Sequence, residues 1–353
     1  MKRDLSGSTA RRLSIGLAAS ALVASAALAS TPAQATSRPV GSAASAATVH
    51  CTKPTSHPTK WREASDVERV SGRVKAEVDA VVAAAARTSA QRSAQADSSP
   101  SPQRTTAARR VVVPVYIHLI HGRHKGEHRI GRYAGRRMFR ILKAGYAGAQ
   151  DRTMTDTGVR FTLRRITVSR NDRWFHARPY SRADRQMKSR LHRGGARVLN
   201  IYVNRPKAGG QLLLGFSTFP WQRAAHPRLD SVTVSDVSLP YGPARGYNLG
   251  DTVIHETGHW LGLLHTFEGG CTAPGDGVAD TPPEATASYY CDETSNTCHE
   301  DAVPDPSDPL KTIDPTDPVH NFMDYSYDAC MYQFTPGQTA RINAAFMHFR
   351  YGR

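Results

Sequence analysis

The apolar and polar positions of the chain predict alternating strands and helices from residue 111 onward. A mostly apolar run at 111–120 indicates a buried strand, and further strands are predicted at 159–168, 198–204 and 231–239. Between the first two, Phe139, Leu142 and Tyr146 lie three to four apart and predict a long helix over 132–150. Thr335 and Gln338 form a capping box ahead of a last helix. This order predicts an α+β fold, a twisted mixed β-sheet backed by two long helices.

The first 35 residues have the composition of a secretory signal peptide. Basic residues precede a small-apolar run at 13–29, and Ala33-Gln34-Ala35 supplies a cleavage site. The Arg11-Arg12 pair also allows twin-arginine export, although the residues after it match that signal poorly. No later stretch has about 18 uncharged apolar residues, so we expect an exported protein with no membrane span.

Residues 36–110 are expected to form a propeptide that ends in a processing linker. Val67, Val70, Val74 and Val78 are spaced three and four apart, which predicts a helix within 61–92. Residues 93–110 are rich in Ser, Pro, Gln and Arg and favour a linker. The catalytic domain is then expected to span residues 111–353.

Residues 255–265 read His-Glu-Thr-Gly-His-Trp-Leu-Gly-Leu-Leu-His and offer the ligands of a zinc ion. His255 and His259 are four apart, so both imidazoles leave the same face of a helix. Gly262 allows the helix to end in a turn with positive φ, which brings His265 to the metal as third ligand. Glu256 lies beside the first ligand and can take a proton from the attacking water. Three protein ligands leave a fourth position open, as in catalytic zinc sites.

At these residues the chain resembles the metzincin metallopeptidases, which also have a methionine-containing turn beneath the zinc. Residues 321–326 read Asn-Phe-Met-Asp-Tyr-Ser and supply such a turn, although Met323 alone would also fit ordinary core packing. The amino-acid sequence of this turn, together with residues 214–220 and 334–338, resembles more specifically that of the pappalysin family. The resemblance covers roughly residues 111–350. It implies a metzincin-like catalytic domain with two long helices above the cleft, an irregular disulfide-linked C-terminal subdomain and a final helix.

The resemblance also implies roles for two residues that follow Met323. Tyr325 stands where several metzincins place a tyrosine near the metal, so its hydroxyl could hydrogen-bond the oxyanion of the transition state. Packing beneath the site is the alternative. Asp328 matches the position of an acid at the base of the S1′ pocket in some pappalysin-like enzymes. A carboxylate there would select Arg or Lys on the leaving side of the scissile bond, and a surface aspartate is the alternative.

Four of the five cysteines cluster after the histidine motif, at Cys271, Cys291, Cys298 and Cys330. In an exported protein, four clustered cysteines indicate two disulfides, for which three pairings exist. The resemblance implies the pairs Cys271–Cys298 and Cys291–Cys330.

The fifth cysteine, Cys51, lies in the expected propeptide. Related zymogens use such a cysteine as a latency switch, with its thiolate in the open zinc position. The glycine that usually follows is replaced here by Thr52. An incidental free thiol is therefore the alternative.

Charge is distributed unevenly along the chain. The net charge is +16, yet residues 268–328 contain 14 acidic residues and one lysine. No nucleic-acid recognition motif accompanies the basic excess, so we expect solvated basic faces and no nucleic-acid partner. In the acidic segment, Asp276, Asp280 and Thr281 offer the oxygen ligands that Ca²⁺ prefers, and pappalysin-like enzymes have calcium near here. A plain turn is the alternative.

These features predict a secreted zinc metalloendopeptidase that acts on proteins or peptides. Two other classes stay open at the level of sequence. One is a zinc hydrolase of non-peptide amides, such as those in cell walls. The other is a binding module that keeps the fold but lacks the chemistry, although intact Glu256 and three histidines argue against it.

Overall fold

The structure is a computed structural model, and it describes most of residues 111–351 and a few residues before them. The described residues are 61–62, 76, 79–81, 83–84, 111–123, 130–151, 154–272, 275–299, 303–305, 308–313 and 315–351. The predicted signal peptide and Cys51 lie outside them. Residues His50–Arg353 form one compact unit.

A five-stranded mixed sheet forms the centre of this unit. In sheet order its strands are β3 (Val159–Arg170), β2 (Val111–His121), β4 (Leu199–Asn204), β8 (Val232–Ser235) and β7 (Gly215–Ser217). The first four run parallel, and β7 pairs antiparallel with β8 at one edge. Alternate residues of β2 point to a single face, and Val113, Val115, Ile117 and Leu119 are all fully buried there.

Two helices cover this sheet and hold the histidine motif in place. These two are α1 (Arg132–Tyr146) and α4 (Thr252–Leu261). The other α-helices with defined bounds are α2 (Asp172–Phe175), α3 (Arg182–Leu191) and α5 (Pro336–Phe349). α1 and α4 contact each other closely, because Gly145 has no side chain where Ile254 packs. The hydroxyl of Tyr146 donates to the carbonyl oxygen of Ile254 at 3.2 Å. Every residue of α4 is buried, so the motif helix lies inside the domain.

Short strands complete the architecture outside the central sheet. β1 (Trp61–Arg62) pairs in parallel with β6 (Gln211–Leu213), which pairs antiparallel with β5 (Lys207–Ala208). β9 (Val303–Asp305) and β10 (Asp308–Ile313) form a separate antiparallel pair. None of the described helices combines the length and apolar character that a membrane span requires.

The last helix is anchored by its cap and by a buried ion pair. Thr335 accepts from the Gln338 amide at 3.0 Å and the Gln338 side chain accepts from the Thr335 amide, as the predicted capping box requires. Just past the helix end, both Arg350 and Asp230 are fully buried, and their side chains approach to 2.8 Å. The Arg350 guanidinium also lies 3.5 Å from the ring centroid of Trp260 in α4. The C-terminus is thereby joined to the motif helix.

The predicted α+β class with a mixed sheet is confirmed, and some element bounds differ. The first helix ends at Tyr146 rather than at 150, because Gly148 adopts a φ of +62°. Trp61 and Arg62, expected within a helix, form a strand instead. The helical pattern of valines begins only at Val67, so these two residues are free of its periodicity. The described residues between 76 and 84 are helical, as predicted.

Candidate metal centre

The helix α4 ends where the sequence predicts a turn. Gly262 has a φ of +103°, the left-handed conformation that closes a helix, and the Leu263 amide donates back to the Gly258 carbonyl at 2.9 Å. A Cβ at Gly262 would also lie 2.8 Å from the Cβ of Ala345. Glycine at this position therefore satisfies both the backbone conformation and the contact with α5. The reversed chain then carries His265 back toward the helix.

The three histidines converge on one point. The Nε2 atom of His259 lies 3.1 Å from that of His255 and 3.0 Å from that of His265. Two nitrogens bound to one zinc at about 2.0–2.1 Å in tetrahedral geometry would be about 3.3 Å apart. The spacing in the structure is close to that value. The three side chains are buried, with exposed fractions of 2–4%.

Hydrogen bonds on the far side of two rings fix which nitrogen carries the proton. The Nδ1 atom of His255 is 2.7 Å from the Phe322 carbonyl oxygen, and that of His259 is 2.9 Å from the Leu263 carbonyl oxygen. A carbonyl oxygen only accepts, so each Nδ1 donates and each Nε2 presents a lone pair. Lone pairs about 3 Å apart repel each other unless a cation lies among them. The donor set therefore fits a divalent metal ion.

Burial keeps these imidazoles neutral, which is the form that binds metal. Desolvation, with a smaller contribution from neighbouring His255, lowers the pKa of His259 to about 3. Desolvation, then His259 and His255, holds the pKa of His265 well below its ordinary value.

Glu256 follows His255 in the motif helix and packs against the edge strand β7. A Cβ added to Gly215 would lie 2.6 Å from its Oε1 and 2.7 Å from its Cγ, so the carboxylate side chain rests against bare backbone. The side chain of Glu256 is 2% exposed. The first strand residue of β7 and the second residue of the motif are thus in direct contact, which sets the position of the carboxylate.

The turn at residues 321–324 lies directly beneath α4. Met323 is fully buried, and its sulfur contacts the site where a side chain at Gly258 would stand. The amide of Met323 donates to the Asn321 side chain at 2.9 Å. Because the Phe322 carbonyl receives the His255 ring N–H, the turn orients a candidate ligand as well as supporting the helix.

Tyr325 places its hydroxyl at the candidate metal centre. The oxygen lies 3.2 Å from His265 Nε2, and the ring packs edge-on against the stacked rings of His265 and Phe267, with centroid distances of 5.1 and 4.9 Å. The Tyr247 hydroxyl donates to the Tyr325 carbonyl at 3.0 Å, which holds the backbone from the other side. The hydroxyl is therefore positioned to donate to a group bound beside the histidines.

Asp328 is buried beside the start of the motif helix. Its carboxylate is 4% exposed, and Oδ2 accepts from the amides of Leu249, Gly250 and Asp251 at 2.7, 2.8 and 3.3 Å. These amides precede α4, so this oxygen holds the start of the motif helix. These three donors occupy Oδ2 only, so a role of Asp328 at the base of a substrate pocket stays a prediction.

Two disulfides join the segments around the centre. Cys271 is bonded to Cys298 with Cα atoms 5.4 Å apart, and Cys291 is bonded to Cys330 with Cα atoms 5.6 Å apart. These are the pairs that the resemblance implies. Cys291 and Cys330 also lie near His320, but a disulfide offers no thiolate to a metal.

The residues considered for calcium have hydrogen-bond partners of their own or are buried. Asp280 accepts from Thr335 Oγ1 at 2.7 Å and from the Gly337 amide at 2.8 Å, so it supports the start of α5. Asp276 accepts from the Val278 amide at 2.9 Å, and Thr281 is buried. Within the described residues, a group of three acidic ligands is not found among these positions.

Some contributors to the site had no signal in the sequence. Gly215 and Phe322 lie in segments that carry the resemblance, but their contacts with Glu256 and His255 depend on backbone position, which residue type does not predict. The Gly258 contact with Met323 could have been inferred, since a motif glycine above a methionine turn permits close approach.

The comparisons with known proteins identify the family of this chain. The family model described as Pregnancy-associated plasma protein-A matches residues 190–347. An extracellular metalloprotease of Pyricularia oryzae is 38% identical over 198 residues, which is 56% of this chain and 64% of the relative. An extracellular metalloprotease of Podospora anserina is 35% identical over 255 residues, 70% of this chain and 77% of the relative. This chain thus spans slightly less than two thirds of the first relative's length.

A solved structure shares the fold. Tannerella forsythia mature mirolysin in complex with a cleaved peptide matches with a TM-score of 0.52 and 25% identity, covering 68% of this chain and 92% of that one. The extent of the fungal match and the family model together define the class. The chain belongs to the pappalysin-like family of metallopeptidases, whose family model is described as Pregnancy-associated plasma protein-A.

Proposed function

We propose that this protein is a secreted zinc-dependent endopeptidase that hydrolyses peptide bonds in proteins. The observation that carries the proposal is the convergence of three neutral Nε2 atoms beside a buried glutamate. Membership of a family whose relatives are named extracellular metalloproteases supports both the reaction class and secretion.

The metal is proposed to be zinc held by His255, His259 and His265. An all-imidazole set with an open position is typical of catalytic zinc. When bound, zinc would polarise the scissile carbonyl and acidify a water molecule.

Glu256 is proposed as the general base and acid. Its carboxylate takes a proton from the attacking water and later gives it to the leaving amine. Contact with Gly215 restricts the side chain, so little conformational freedom of the carboxylate is lost when it reacts. Tyr325 is proposed to donate its hydroxyl hydrogen to the negative charge that develops on the carbonyl oxygen.

The chain is proposed to mature by loss of its N-terminal part. Residues 1–35 would be removed as a signal peptide and 36–110 as a propeptide, leaving 111–353 as the catalytic domain. The fold supports this boundary because the central sheet begins at Val111. Cys51 as a latency switch stays a prediction, tested by comparing the latency of the Cys51→Ser zymogen with that of its parent.

Two finer predictions concern calcium and specificity. Structural calcium at Asp276, Asp280 and Thr281 stays a prediction, and calorimetry with added Ca²⁺ would reveal a bound ion. A preference for Arg or Lys after the scissile bond also stays a prediction. Asp328 is the residue proposed to select the basic side chain, and a peptide library compared between the parent and Asp328→Asn would measure the preference.

The function is tested with purified mature protein and its Glu256→Gln variant. We expect casein hydrolysis by the parent, its loss with a chelator and its recovery with zinc. The variant should keep one zinc per chain and lose at least about 10³-fold in rate. A variant that retained full hydrolysis would refute the role of Glu256. Zinc binding without peptide cleavage by the parent would favour a non-peptide amide substrate or a binding module.

A further inference from the structure

A buried arginine of the last helix binds a carboxylate from the N-terminal segment. The Arg341 side chain is fully buried, and its Nη1 lies 2.5 Å from Oδ1 of Asp79. Asp79 is one of the described helical residues between 76 and 84, and it lies 32 positions before the central sheet begins at Val111. The side chain of Asp79 is 25% exposed, so the pair lies at the edge of the buried region.

The other partners of Arg341 carry no net charge. Its Nε donates to the Gly262 carbonyl at 2.9 Å, and Nη1 also donates to the Gly277 carbonyl at 3.3 Å. Of the described residues, only Asp79 supplies a carboxylate to this guanidinium. A buried cation without a counter-ion is strongly disfavoured. The N-terminal segment therefore neutralises a charge that the catalytic domain leaves uncompensated.

The loop around Gly277 fits closely over this ion pair. A Cβ at Gly277 would lie 2.5 Å from Asp79 Oδ1 and 2.6 Å from Arg341 Nη1. Its φ of +79° also belongs to the region that favours glycine. The receptor for the carboxylate is thus formed by α5, the Gly277 loop and the end of α4.

A second contact attaches the same N-terminal segment elsewhere on the domain. β1 pairs in parallel with β6, in the register Trp61 with Leu212 and Arg62 with Leu213. β6 ends two residues before Gly215, which contacts Glu256. One contact therefore lies on the strand that precedes Gly215, and the other lies on Arg341, which also binds the carbonyl of Gly262, the turn before His265.

We propose that Arg341 is the docking site for the chain's own N-terminal segment and that Asp79 is the residue it recognises. The inference rests on the proposed assignment of residues 36–110 as a propeptide. It adds a specific consequence: after the linker is cut, the segment stays bound until the Asp79–Arg341 pair opens. Release of the segment, and not only cleavage, then governs how quickly the domain is freed.

The test uses the full chain with Glu256→Gln, so that self-cleavage is prevented. A recognition sequence for a site-specific protease replaces residues 97–102 in the predicted linker. After the cut, native mass spectrometry and dilution measure the dissociation constant of the N-terminal piece. Asp79→Asn should weaken its binding about 10- to 100-fold, the range for losing a hydrogen bond to a charged group. Asp79→Glu should bind within a few-fold of the parent, because it restores the charge.

Asp156→Asn is the matched control, since Asp156 forms an exposed ion pair with Arg160. Its dissociation constant should equal that of the parent. The proposal is overturned if the N-terminal pieces of the parent and of Asp79→Asn have the same dissociation constant. The readout needs no catalysis. Absence of zinc or of hydrolysis in the mature parent would count against the proposed function alone.

Discussion

Gly215 offers a direct test of how the fold positions the general base. A methyl group at this position would stand 2.6 Å from Glu256 Oε1, which falls 0.8 Å short of the 3.4 Å where ordinary contact begins. The same methyl would lie 2.9 Å from Cγ2 of Thr252, whose branched side chain has little freedom to move. Gly215→Ala should therefore push the carboxylate by most of an ångström.

The expected cost is catalytic rather than structural. A misplacement of about 1 Å in a reacting group can reduce the rate about 10²-fold, so kcat/KM should fall about 10- to 100-fold. The variant should still bind one zinc per chain, because the three histidines do not touch the new methyl. Steady-state hydrolysis of a quenched peptide, with metal analysis of the same sample, measures both quantities.

A second glycine provides the control for this substitution. A Cβ at Gly195 would meet nothing within 4 Å, so Gly195→Ala should leave kcat/KM and zinc content unchanged. Full activity of Gly215→Ala would show that the contact with β7 does not position Glu256. Loss of zinc together with activity would mean that the methyl acts through the whole motif helix instead.

Three further predictions concern the site and its support. Tyr325→Phe should retain zinc and lower kcat about 10²-fold, because one donor to the developing oxyanion is lost, whereas an unchanged kcat would leave only packing as its role. Asp230→Asn should lower the free energy of unfolding by about 3–5 kcal/mol in urea titrations, since buried Arg350 loses its counter-ion; a change below about 1 kcal/mol would contradict this. Burial raises the pKa of Glu284 from 4.5 to about 7. Because the folded state holds this proton more tightly, protonated Glu284 stabilises the fold below about pH 4.5, and this stabilisation is lost as pH rises through 7. Thermal melts of Glu284→Gln should therefore lack that loss over this window, and parallel pH curves for the parent and the variant would exclude it.

The local parts of the centre could be predicted from the sequence. His255 and His259 lie one helical turn apart, so their shared face follows from helix geometry alone. Gly262 announces the turn that the structure shows, with φ of +103°. The capping box of Thr335 and Gln338 is local for the same reason.

The contacts between distant segments could not be predicted. Asp328 lies near the motif helix in space, but its position in the sequence does not predict that Oδ2 accepts from the amides of residues 249–251. The Asp79–Arg341 pair joins residues 262 positions apart. Such contacts depend on how finished elements pack, and the residue types alone are compatible with many surface arrangements.

Helix α3 illustrates a limit of hydrophobic periodicity. Its sequence is mostly polar and basic, and it was not predicted as an element. The structure buries an ion pair within it, with Lys188 Nζ 3.3 Å from Asp184 Oδ2 and both side chains at most 1% exposed. A helix that buries charges on its inner face presents no apolar pattern, so patterning misses it. The Ser181 cap, which accepts from the Asp184 amide at 3.3 Å, was the available signal.

The central claim is that three imidazoles hold one catalytic zinc ion. Elemental analysis of the dialysed, active protein tests it most directly, with His265→Ala measured alongside. The account predicts one zinc per parent chain, with the variant losing both zinc and casein hydrolysis. Active parent protein without a transition metal, or full activity in a zinc-free His265→Ala variant, would contradict it.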